Sequence, residues 1–122
     1  MSGPPNRKTA EKGGRRAEGL AALWLRLKWY RVVGRRVRTP VGEIDLIALS
    51  PRGILCFIEV KNRKGNRVAA EAVSHRQQSR IARAAELYLS SHPALRHKGV
   101  RFDAILMVPG RLPRHVQDAW RL

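Results

Sequence analysis

Acidic residues are scarce in this chain: nine Asp and Glu stand against 25 Lys and Arg in 122 residues, a formal net charge of +16. So one-sided a balance exceeds what solubility needs and opposes compaction, which points to a polyanionic partner, nucleic acid or an anionic surface. Cysteine is scarcer still. Cys56, the single one, cannot close an internal disulfide, and its apolar neighbours mark a buried, inert thiol in a reducing compartment. No apolar run is long enough to span a bilayer, and the opening MSGPPNRKTAEKGGRR lacks the hydrophobic segment of a secretory signal. A cytoplasmic protein without a membrane partner is expected. No serine or cysteine nucleophile has a convincing base, and no glycine-rich phosphate loop precedes a helix. The four histidines (His75, His92, His97, His115) show no metal-ligand spacing and are expected at the surface or as caps.

What remains suffices for one domain with one core. Residues 1–13 read as a flexible basic tail, and residues 14–122 as a single domain. From about Arg15 to Lys28, Leu20, Leu23, Trp24 and Leu27 recur at helical spacing and are expected to face the core, with Glu18 at the flank. Tyr30 to Arg38 reads as a strand with a bulge at Gly34. Strands over 43–49 and 54–61 follow, joined at Ser50-Pro51-Arg52-Gly53. Ser74 and Gln77 form a capping box that opens a helix to about Ser90, with Ile81, Ala84, Ala85, Tyr88 and Leu89 as its core stripe, ended by His92-Pro93. Arg101 to Val108 is a last strand, and the tail beyond is ambiguous, with Trp120 and Leu122 candidates for docking on the body. The order αβββαβ predicts an α/β fold, a mixed sheet covered by helices.

The hairpin holds the most informative residues. Pro51-Arg52-Gly53 suits a three-residue loop, in which glycine supplies the left-handed residue. Ser50 then pairs with Ile54, and the same register places Asp45 opposite Glu59, and Glu43 opposite Lys61. Directly opposed side chains start only ~5 Å apart, so two carboxylates there repel unless a cation lies between them. Mg2+ or Mn2+, one or two ions, suits hard oxygen ligands, and Lys61 could neutralise a phosphate or place a water. The alternative is a solvated face of an edge strand, and the spacing alone leaves both open. Arg76, Arg80 and Arg83 form a basic stripe on the second helix. With Arg63, Lys64 and Arg67 in the preceding loop, they could track a phosphate backbone, or they could be a solvated face. Trp24 is expected in the core rather than as a base-stacking platform; Trp29 and Trp120 fit either role.

GEIDLIA and FIEVKNR, preceded by GRRAEGLAAL and followed by AEAV, AAELYL and RFD, resemble the YraN-like proteins. These are small bacterial proteins similar to archaeal Holliday-junction resolvases of the PD-(D/E)XK nuclease superfamily. The resemblance runs from about Gly14 to Asp103. It implies a restriction-endonuclease-like core in which Asp45 is the motif aspartate, Glu59 and Lys61 are the E-x-K pair, and Glu18 is the first-helix acid completing the site. Asp45 and Glu59 would hold the metal. Such proteins usually carry a lysine where this chain has Gln77. A Mg2+-dependent endonuclease on structured DNA, branched junctions included, is the function implied. A non-catalytic nucleic-acid-binding protein and a basic component of a ribonucleoprotein are the alternatives. Related resolvases act as symmetric dimers, so a homodimer is expected, although no segment reads as its interface.

Overall fold

The structure is a computed structural model that describes residues 7–62 and 73–121, with side chains from residue 15 onward. The elements are α1 (Arg7–Leu27), β1 (Arg31–Thr39), β2 (Gly42–Leu49), β3 (Leu55–Asn62), α2 (His75–Ser91), β4 (Val100–Met107) and β5 (Arg114–Val116). They build one five-stranded sheet in the order β1-β2-β3-β4-β5, parallel only between β3 and β4. This is the expected α/β fold of order αβββαβ, a mixed sheet with two helices that is consistent with a nuclease-like core. Arg63, Lys64, Arg67 and Leu122 lie outside the described residues.

Side-chain alternation divides the core into two layers. Leu46, Ala48, Cys56, Ile58 and Ile105 face α1, whereas Ile47, Leu55, Phe57 and Ala104 face α2. Cys56 is buried in the α1 layer, where desolvation pushes its thiol up to about 12, leaving it inert as expected. The turn has the expected form: Ser50 and Ile54 pair, the Gly53 N–H donates to the Ser50 carbonyl at 2.9 Å, and Gly53 takes φ +88°. The β1 register shifts between Val32 and Gly34, the expected bulge. Ser74 caps α2 by accepting the Gln77 N–H, and the α2 stripe of Ile81, Ala84, Ala85 and Tyr88 is buried with Leu89 packed beside it.

Three features differ from expectation. First, α1 begins at Arg7, so residues 7–13 are helical rather than tail. Second, α1 packs through Ala17, Ala21, Ala22 and Leu25, while Leu20, Leu23 and Leu27 are 50%, 51% and 67% exposed and Trp24 is half-buried. Small residues let the helix axis approach the sheet closely, which leucines on that face would prevent. Third, the tail, ambiguous in the sequence, forms β5 on the β4 edge; within it Trp120 docks on the body as expected, buried against Phe102 with ring centroids 5.6 Å apart.

The alanine face predicts a contrast measurable by thermal unfolding. Ala21→Leu forces extra methylenes against the sheet and should cost about 1–3 kcal/mol, whereas Leu23→Gln on the solvent face should stay within about 0.5 kcal/mol of wild type. Equal losses would contradict the packing described.

Candidate metal centre and nucleic-acid cleft

The β2–β3 ladder runs from Leu49↔Leu55 to Leu46↔Ile58 and stops there. Because Ser50 and Ile54 exchange a backbone bond, hydrogen-bonded pairs recur every second step, and a continued ladder would join Val60 N–H to the Ile44 carbonyl. The Val60 N–H instead donates to Asp45 Oδ2 at 2.8 Å. A side chain takes the place of a backbone rung, and the two strands part. Beyond this fork Ile44 packs in the α2 layer although Leu46 packs in the α1 layer, which is the local twist that opens the hairpin.

Acids enter the fork from both layers. Glu59 continues the α2-facing side of β3; its Oε1 lies 3.2 Å from Lys61 Nζ and accepts from Gln77 Nε2 at 3.3 Å. Gln77, which stands where the resemblance implies a lysine, thus touches a site carboxylate directly. From the other layer α1 delivers Glu18. One carboxylate oxygen from each of Glu18, Glu43 and Asp45 lies within 4.8 Å of the others. Asp45 and Glu59 are near enough that the Asp45 charge helps to raise the Glu59 pKa. Asp45 therefore stands between the Glu59–Lys61 pair and the Glu18–Glu43 pair. Glu43, expected opposite Lys61, belongs to the acid group instead. Its signal was the two-residue spacing from Asp45, which puts both on one side of β2.

Burial makes these acids unfavourable as anions. Desolvation, followed by the Asp45 charge, pushes both Glu18 and Glu59 up to about 7. Burial likewise raises Asp45 above the ordinary aspartate range, against the opposing pull of the Val60 N–H. Glu18 Oε2 is buried without a hydrogen-bond partner among the described residues; its nearest cation is Arg36 Nε at 3.5 Å. Arg36 also lies 3.6 Å from Glu43 Oε1, and it adopts φ +48°, a left-handed conformation costing an L-residue on the order of 1–2 kcal/mol.

Glu18 of this group lines an open surface cleft of about 560 Å³ together with Arg15, Arg35, Arg36 and Arg38. These arginines were not singled out in the sequence, although the GRRVR run of β1 carries three of them. Arg76, Arg80 and Arg83 are exposed on α2, and the Arg80 stem packs over Gly42 at the start of β2. His92 caps α2 as expected, bonded through Nδ1 to the Tyr88 carbonyl at 2.9 Å. His115, expected at the surface or as a cap, is instead buried, with Nε2 2.8 Å from Asp103 Oδ2. No helix among the described residues is long and apolar enough to cross a membrane.

A UPF0102 protein of Caulobacter sp. is 50% identical over 111 residues, 91% of this chain and 79% of that protein. The UPF0102 protein of Parvibaculum lavamentivorans is 53% identical over 108 residues, 88% and 80% of the two chains. That of Paramagnetospirillum magneticum is 45% identical over 128 residues, spanning 99% and 98%. The family model matches residues 17–107, from the helix turn that carries Glu18 to the end of β4, so the chain belongs to the uncharacterised protein family UPF0102.

Proposed function

We propose that the protein is a Mg2+- or Mn2+-dependent endonuclease acting on structured DNA, branched junctions included. The observation that carries this reading is the acid group of Glu18, Glu43 and Asp45 beside an arginine-lined surface, with Glu18 Oε2 buried and accepting no hydrogen bond among the described residues, its ion pair with Arg36 apart. Carboxylates gathered from a helix and a strand destabilise one another, and a hard divalent cation relieves that repulsion. One oxygen from each of the three residues lies within 4.8 Å of the others, so these are the residues that would hold the ion. The resemblance of the GEID and EVK blocks to Holliday-junction resolvases supports the same reading.

A cation held by Asp45, Glu18 and Glu43 would polarise the phosphodiester and lower the pKa of an attacking water. The chain's own residues do the rest. Glu59, pushed up to about 7 by burial and by the neighbouring Asp45 charge, would take a proton from the attacking water. Lys61 compensates charge gained by the phosphoryl oxygens, and Gln77 holds the Glu59 carboxyl in place. Arg15, Arg35 and Arg38 draw the phosphate backbone over the acids. One observation favours a non-catalytic nucleic-acid-binding protein instead: Arg36 already supplies Glu18 and Glu43 with a positive charge.

Asp45→Asn keeps an oxygen for the Val60 N–H and removes one anion. Metal-dependent cleavage of junction, flap and duplex DNA should fall by at least a hundredfold, while thermal stability in EDTA is unchanged or higher. A mutant as active as wild type would refute the assignment, and wild type that cuts no DNA form would transfer the reading to the binding protein.

Protonation sets the pH dependence. Glu59 titrates at about 7 in the fold against 4.5 ordinarily, so the folded chain keeps a proton that the unfolded chain releases between those values. Metal-free stability should therefore fall as pH rises from 4.5 to 7 and level off above. Glu59→Gln should flatten that decline in thermal melts. Mn2+ held by Glu18 must displace its proton, so the affinity should rise about tenfold per pH unit below pH 7 and then plateau. A pH-independent Mn2+ titration would remove Glu18 from the site.

DNA affinity should fall steeply with salt, because each neutralised phosphate releases a counterion. Arg35→Ala, in the cleft, should lower the log–log salt slope by about one unit. The same result for Arg76→Ala would extend the track to α2, and no change would leave that stripe a solvated face.

A further inference from the structure

A second cavity, of about 470 Å³, lies at the other end of the hairpin, between the end of α1, the β2–β3 turn and the start of β4. Asp45 and Ser50 are five residues apart along β2, so the two sites are ~17 Å apart. The polar groups lining the cavity are Lys28, Tyr30, Ser50, Arg52, Arg101 and Gln117, with no carboxylate among them.

Their hydrogen bonds leave donors over. The Tyr30 hydroxyl accepts from Arg101 Nη2 at 2.8 Å and from Gln117 Nε2 at 3.3 Å, which fills both lone pairs and leaves its own O–H unspent. Ser50 Oγ accepts the Ile54 N–H at 3.0 Å, and its hydrogen is likewise unspent among the described residues. Both residues are more than nine-tenths buried, Tyr30 at 7% and Ser50 at 8% exposure. Arg101 uses Nε and Nη2 on Asp103 and Tyr30, which leaves both hydrogens of Nη1. Lys28 Nζ bonds His115 Nδ1 at 3.0 Å and keeps two further donors.

Behind the wall, Asp103 is fully buried and fixes these groups. Burial alone would raise its pKa, but bonds from His115, Arg101 and the Asp118 N–H outweigh that and hold it below the usual range. Asp103 thus neutralises Arg101, while Lys28 and Arg52 remain as uncompensated cations at the rim. A cavity lined by surplus donors and two net positive charges selects a ligand made of acceptors and negative charge. Trp29, adjoining both Lys28 and Tyr30 in the chain, is 84% exposed and held at φ +68°, an aromatic face open for a base to stack on.

We propose that this cavity binds a phosphomonoester carrying a nucleobase, either the 5′-terminal nucleotide of a DNA strand or a free mononucleotide. The site does not depend on the acid fork, and its test needs no metal. In EDTA, the intact chain is titrated with a short single strand bearing a 5′-phosphate, with its 5′-hydroxyl twin and with deoxyadenosine 5′-monophosphate, following tryptophan fluorescence. The twins share every internal phosphate, so nonspecific binding cancels. The phosphorylated strand should bind wild type at least fivefold tighter, and that preference should vanish in Arg52→Ala, an exposed turn position, and in Tyr30→Phe. Mononucleotide binding lost in the same variants, with no preference between strands, supports the site and identifies the free nucleotide as its ligand. Equal affinity for the twins with no mononucleotide binding overturns the proposal, as does a preference that survives both variants.

Discussion

The bond from the Val60 N–H to the Asp45 carboxylate governs the geometry of the candidate site: it occupies the donor that would close the next rung, so β2 and β3 separate where Glu43, Asp45, Glu59 and Lys61 are carried. Had the ladder continued, Asp45 and Glu59 would face each other across a flat hairpin, open to one layer alone. The fork admits side chains from both. Gln77 reaches Glu59 from the α2 layer, and Glu18 reaches Asp45 from the α1 layer. One carboxylate thus acts twice, once as a substitute for a backbone acceptor and once as the member shared by two acidic pairs.

Whether Glu18 arrives depends on which face of α1 packs. Residues on a helix turn by ~100° each, so Leu20 points ~200° and Leu27 ~180° away from Glu18. A leucine-facing α1 would therefore turn Glu18 to solvent. The two expectations drawn from this helix, leucines inward and Glu18 in the site, exclude each other, and the structure adopts the second. Ala17, Ala21 and Ala22 surround Glu18 on the packed face and bring its short side chain within reach of the fork. Periodicity alone marked the larger residues as core; it carries no information on how near a helix must lie to deliver a carboxylate.

What the sequence made legible was local. The three-residue turn, the bulge at Gly34, the cap at Ser74 and the α2 stripe each follow from residues a few positions apart. The hairpin register follows from the turn alone and places Asp45 and Glu59 within reach. The splay was not legible, because it depends on a bond between residues 45 and 60 that no periodicity encodes. Glu43 was readable from its spacing to Asp45, but a full ladder assigned it to Lys61. The cleft arginines of β1 read as strand residues, and β5 is too short and polar to signal itself.

The opposed demands of charge explain why so few acids are placed as they are. Glu18, Glu59 and Asp103 are buried and Asp45 half-buried, so four of the nine acids do little to offset the cationic surface. The cleft arginines make the Glu18 carboxylate tolerable: Arg36 and Arg35 oppose the rise in the Glu18 pKa that burial and Asp45 impose. At the far end of the hairpin the arrangement is inverted, with the acid, Asp103, behind the wall and the donors facing outward. The hairpin therefore carries electron-pair donors at its open end and proton donors at its closed end, two sites of opposite chemistry on the same pair of strands.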